Sequence, residues 1–192
     1  MNTTPIGSYC PLEAPKGQRN PRRKRNRRRK RTTVLDFVER SIQNEYQAIC
    51  LFRAAAERAH GPVASLFRRL AKDEEFHLEF LEDWYLDLME DWEKEERLPR
   101  LRADKKRIGL AAQVMVAQMP ADNRVLLDHI IEKKQAHRDF YVQQRYHLKG
   151  RKLRTTLSDL ADEENIHLDQ LLQAAGYPPL PRMELEDAET VH

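Results

Sequence analysis

Three observations predict an all-α fold, a four-helix bundle whose long second crossover contains an extra short helix. Breakers are scarce between residues 32 and 177: the only prolines are Pro62, Pro99 and Pro120, and the only glycines Gly61, Gly109, Gly150 and Gly176. The stretches between them are rich in Leu, Ala, Glu, Lys, Arg and Gln, the residues that lose least on entering a helix. Apolar residues recur at helical spacing, and no stretch alternates apolar with polar residues in the manner of a half-buried strand.

Helices are expected at about 33–59, 63–97, 103–118, 122–148 and 152–174. Thr33 and Asp122 are candidate N-caps, because a short side-chain oxygen can accept from the first free backbone N–H groups. Gly176 is the candidate stop of the last helix. Leu35, Val38, Ile42, Ile49, Phe52 and Ala56 fall on one face of the first helix. Val63, Phe67, Leu70, Leu78 and Leu81 do so in the second, and Leu153, Leu157, Leu160, Leu168 and Leu171 in the last. Four such stripes, with a shorter helix before the third, make a bundle with a long crossover.

The ends differ from the middle. Residues 1–31 carry eleven basic side chains and one acid, a net +10, which leaves the other residues at −7. This arm has few large apolar groups and is expected to be disordered, since it cannot bury enough surface to offset the entropy of ordering. Its cationic run (Arg22, Arg23, Lys24, Arg25, Arg27, Arg28, Arg29, Lys30 and Arg31) suits contact with DNA, RNA or another polyanion through residues 16–31. The domain is expected over residues 32–177, and residues 178–192 as a mobile C-terminal tail. No apolar run reaches the roughly 18–20 residues of a membrane span, and the first thirty residues lack a secretory apolar core. Cys10 and Cys50 make neither a disulfide framework nor a CxxC redox or zinc motif. A cytoplasmic protein without membrane contact is expected.

The chemistry sits in an internal match. Leu70-Ala71-Lys72-Asp73-Glu74-Glu75-Phe76-His77-Leu78 and Leu160-Ala161-Asp162-Glu163-Glu164-Asn165-Ile166-His167-Leu168 share the pattern LAxxExxHL, ninety residues apart. Glu and His at i and i+3 leave a helix from the same side, so each pair can face a metal. Glu74, His77, Glu164 and His167 also lie within apolar stripes, where an unpaired carboxylate would cost several kcal/mol. A metal compensates them directly; a buried ion-pair network is the alternative. Glu45 sits in the same position on the first helix, between Ile42 and Ile49.

On Glu45xxAla48xxxPhe52 and the two ExxH helices, residues 34–174 resemble the rubrerythrin and ferritin-like superfamily of di-iron carboxylate proteins. The resemblance implies two iron ions, with Mn/Fe or a single metal as alternatives. It implies Glu74 and Glu164 as bridging ligands, Glu45 as a terminal carboxylate, and His77 and His167 as one imidazole for each iron. The fourth carboxylate departs from that pattern: the expected position falls on Lys133 or Lys134, and the nearest acid is Glu132. A narrow stripe of Val125, His129, Glu132, Ala136 and Phe140 turns Glu132 inward as a ligand, as would a one-residue bulge. The broader face of Leu126, Leu127, Ile130, Ile131 and Tyr141 turns Lys134 and His137 inward instead, where the ammonium would replace one metal.

The functional expectation is an oxidoreductase reducing O2 or peroxide at this centre, as a peroxidase, ferroxidase or monooxygenase, with an external electron donor. Tyr46 and Tyr141 are candidates for delivering a proton or electron. A homodimer is possible. Two alternatives stand beside it: a nucleic-acid-associated protein acting through the basic arm, in DNA protection or tRNA hydroxylation, and a structural helical protein with a degenerate metal site.

Overall fold

The computed structural model describes residues 21–179, with side chains from Thr33 onward. The basic side chains Arg22 to Arg31 and the tail from residue 180 lie outside that description, as do residues 1–20. Five helices follow one another: α1 (Pro21–Arg58), α2 (Gly61–Leu88), α3 (Asp91–Gln118), α4 (Asn123–His147) and α5 (Arg151–Ala174). No strand occurs among the described residues, and the fold is the all-α, ferritin-like bundle the stripes predict. No helix in this range is long and apolar enough to cross a membrane.

Two boundaries differ from expectation, each for a local reason. α1 starts at Pro21, so Thr33 lies inside the helix and is not its cap; Arg and Lys are good helix formers, and proline is favoured in a first turn. The expected disordered arm is therefore helical from Pro21. The second break falls at Met89 and Glu90, ahead of Pro99. Met89 is extended, and Glu90 forms a capping box with Glu93 that starts α3. Pro99 then lies within α3; both it and Glu95, whose carbonyl loses its partner, are exposed, so the carbonyl faces solvent. The crossover helix is thus as long as α2. Elsewhere the caps hold: Asp122 accepts from the backbone N–H of Arg124 and Val125. Gly176, at φ 72°, lets the N–H groups of Gly176 and Tyr177 reach back to Gln173 and Leu172.

α1 packs against α2, α3 and α4, and α4 against α5. The side chain of Asn123 accepts from the backbone N–H of His60 and donates to its carbonyl, so α3 has carried the chain back to the end where α2 began. α3 lies against α1 at Gly109, where a Cβ would stand 3.5 Å from Cys50 Sγ and Tyr46 Oη, and Lys105 reaches over the Tyr46 ring to Glu82 of α2. α2 and α5 run antiparallel, since Arg69 meets Gln170 while His77 meets Glu163.

The buried apolar side chains form two clusters along the bundle. One holds Phe52, Phe67, Leu70, Ile130, Leu168 and Leu171. The other holds Leu35, Ile42, Leu81, Tyr141, Leu157 and Leu160. The buried polar side chains Glu45, Glu74, Lys134, Glu164 and His167 belong to neither cluster.

Candidate metal centre

Each functional side chain is fixed by the apolar residues one turn before and after it. Ile42 and Ile49 bracket Glu45 on α1, Leu70 and Leu81 bracket Glu74 and His77 on α2, and Leu160 and Leu168 bracket Glu164 on α5. Burying those isoleucines and leucines obliges the acids to point inward: Glu45, Glu74 and Glu164 have no exposed surface, and His167 is 6% exposed. Glu45, Glu74, His77 and Glu164 each offer one ligand atom, all within 4.8 Å of one another. The two imidazole rings stack with centroids 5.7 Å apart.

On α4 the broader face wins. Leu126, Leu127, Ile130, Ile131 and Tyr141 are buried, and the helix runs through them without a bulge, so Lys134 and His137 point inward. The expectation of Glu132 as a ligand is corrected accordingly: Glu132 is exposed, as are Val125 and Ala136 of the narrower stripe. His129 turns to Met115 of α3. Lys134 Nζ, 1% exposed, lies 2.7 Å from Glu74 Oε1 and in contact with Glu164 Oε2.

The charges set one another. Burial alone would raise the Glu74 carboxyl, but the Lys134 ammonium and the adjacent imidazoles of His167 and His77 hold it well below the ordinary range. For Glu45, burial with the charges of Glu74 and Glu164 outweighs the pull of Lys134 and pushes it well up. Glu164 is raised by burial and by Glu74, against the pull of Lys134. Burial works against the ammonium of Lys134, yet the acids around it raise its pKa. His137, one turn on, is driven down to about 3 by burial and the neighbouring ammonium, so its imidazole is neutral.

Outer contacts orient the ring. His77 Nδ1 stands 3.4 Å from Glu74 Oε2, while its Nε2 meets Glu163. His167 Nδ1 lies 2.8 Å from Glu74 Oε1, with its Nε2 3.9 Å from Asp73. The acid preceding each glutamate of the repeat therefore approaches the histidine of the opposite helix, a role the sequence reading missed. The signal was there in the acids at 73 and 163. Tyr141 donates to Glu45 Oε1 from a fully buried position. Tyr46, by contrast, turns toward α3 and Cys50. A cavity of about 510 Å3 opens between α2 and α5, walled by Phe76, Phe80, Leu160 and Ile166 and reaching His77 and His167.

These donors fit a hard divalent cation. Glu45 Oε2 and Glu164 Oε1 are buried and meet no hydrogen-bond donor among the described residues, a cost a cation would remove. The family model for Rubrerythrin matches residues 36–175, well over half of the chain. The chain belongs to the rubrerythrin family. No match is found among curated proteins or among solved structures. Rubrerythrin-family proteins belong to the ferritin-like di-iron group and typically bind iron, which agrees with a carboxylate-rich donor set on a helical bundle.

Proposed function

We propose that the protein is a non-haem iron or manganese oxidoreductase that reduces O2 or peroxide at a metal held by Glu45, Glu74, His77 and Glu164. What carries the reading is the convergence of three fully buried carboxylates and an imidazole from three helices on one point. Hard oxygen donors with little imidazole suit either metal, and the bound metal supplies the redox electron.

The chain's own residues do the rest. Glu163 accepts from Nε2 of His77 and so leaves Nδ1 as the nitrogen facing the carboxylates. Tyr141 holds its phenolic proton on Glu45, within one hydrogen bond of the centre. The two apolar caps exclude water along the bundle axis, and the cavity between α2 and α5 admits a small oxidant from the side. The sequence holds Cys10 and Cys50 but no CxxC pair, which supports an electron donor bound from outside the bundle.

Anaerobic loading with Fe(II) followed by stopped-flow mixing with peroxide tests this. Bound Fe(II) should oxidise at least about tenfold faster in the native protein than in Glu74→Gln or Glu164→Gln, the loss expected when a ligand's environment is broken. No bound iron, or equal rates in all three proteins, would overturn the proposal.

A further inference from the structure

We infer that the centre holds one divalent cation, and that the ammonium of Lys134 permanently occupies the place of a second. This rests on the metal-binding reading above and specifies its stoichiometry.

Three observations carry it. First, Lys134 Nζ sits between the glutamates of the two ExxH helices, 2.7 Å from Glu74 Oε1 and in contact with Glu164 Oε2. Those are the two carboxylates that two metals would have to share. Second, the donors left over form a single group: Glu45, Glu74, His77 and Glu164 converge, whereas His167 is not among them. Its Nδ1 instead faces Glu74 Oε1, the same oxygen that Lys134 engages. A second cation would need His167 and that oxygen together, and the ammonium stands on it. Third, the interior charge closes with one metal. Three buried carboxylates are balanced by one ammonium and one dication; a second dication would leave the buried site doubly positive with no further buried acid beside it, since Glu132 is exposed and Asp73 and Glu163, on the outer side of the histidines, are solvated. The next buried polar group on α4 after Lys134 is the imidazole of His137, which carries no negative charge to compensate a second ion.

Lys134 is therefore a built-in counter-ion: it neutralises the acids before metal arrives and limits the site to one ion afterwards.

The test is a metal count on the full chain, stripped of metal, loaded with Mn(II) and freed of excess ion. Elemental analysis should give one Mn per chain, and low-temperature electron paramagnetic resonance the six-line signal of an isolated Mn(II). Lys134→Glu supplies a fourth carboxylate and should bind two Mn with an exchange-coupled spectrum. Glu74→Gln should bind none, which excludes ions held on the surface. Two Mn per native chain would overturn the inference and leave the proposed function standing. No Mn in the native chain would overturn the reading on which it rests. One Mn in both native protein and Lys134→Glu would show that Lys134 is not what limits the site, and also overturns it. The native count decides alone if the Lys134→Glu chain fails to fold.

Discussion

Replacing Lys134 by methionine keeps much of the side chain's volume and removes its charge. Nζ is 1% exposed and meets two carboxylates that are themselves fully buried. Without it, Glu74 and Glu164 face each other and Glu45 in a medium that solvates none of them, and protons must be taken up to relieve the repulsion. Removing one partner of a buried pair costs about 3–5 kcal/mol, because the other charge is left uncompensated. For a chain of this size that corresponds to a fall in Tm of about 6–20 °C. Urea unfolding of the metal-free protein at neutral pH, followed by circular dichroism, reads the difference directly. Lys133→Met is the control: Lys133 is half-buried, has no ion pair with the cluster acids, and should change stability by no more than about 0.5 kcal/mol. The reasoning fails if Lys134→Met costs less than about 1 kcal/mol, or no more than Lys133→Met.

Three further outcomes are expected. His137 has its pKa lowered to about 3 against an ordinary 6.5, so the unfolded chain binds the extra proton between those values and stability falls as pH falls. The loss approaches about 2 kcal/mol by pH ~5 at ~1.36 kcal/mol per unit; urea melts of His137→Gln should lack that component, and equal slopes in both proteins would refute it. Metal binding should release protons, because Glu45 holds its proton above the usual carboxyl range and must give it up to ligate. Mn(II) affinity should therefore rise with pH across the acidic range, and titration calorimetry in buffers of different ionisation heat should show proton release; a flat profile contradicts it. Gly109→Ala should stabilise the protein by about 0.5–1 kcal/mol, since the new Cβ would make ordinary contacts of 3.5 Å with Cys50 and Tyr46; a lower Tm would mean that α1 and α3 pack more tightly than these distances indicate.

Much of the site could be read from the chain because apolar periodicity fixes which way a helix faces. Glu45, Glu74, Glu164 and His167 lie among residues that must be buried, and all four are buried. α4 was ambiguous because two apolar stripes of different width overlap on it; volume decides, as Leu126, Leu127, Ile130 and Ile131 bury more than Val125, Ala136 and Phe140 can. The break between α2 and α3 was hidden for a different reason. Its cap is made by Glu90 and Glu93, residues that otherwise read as helix interior, while the conspicuous Pro99 sits on a solvent face that tolerates it. The contact of Glu163 with His77 depends on the antiparallel pairing of α2 and α5, which no local pattern encodes. The match to Rubrerythrin over residues 36–175 spans both ExxH helices and Lys134, and the contacts of Lys134 with Glu74 and Glu164 make the lysine part of this chain's centre.

An anomalous-scattering map of crystals soaked in Mn(II) places the metal by position. The account predicts a peak enclosed by Glu45, Glu74, His77 and Glu164, between the two apolar clusters. A centre empty of density in crystals that carry manganese on surface acids would contradict it.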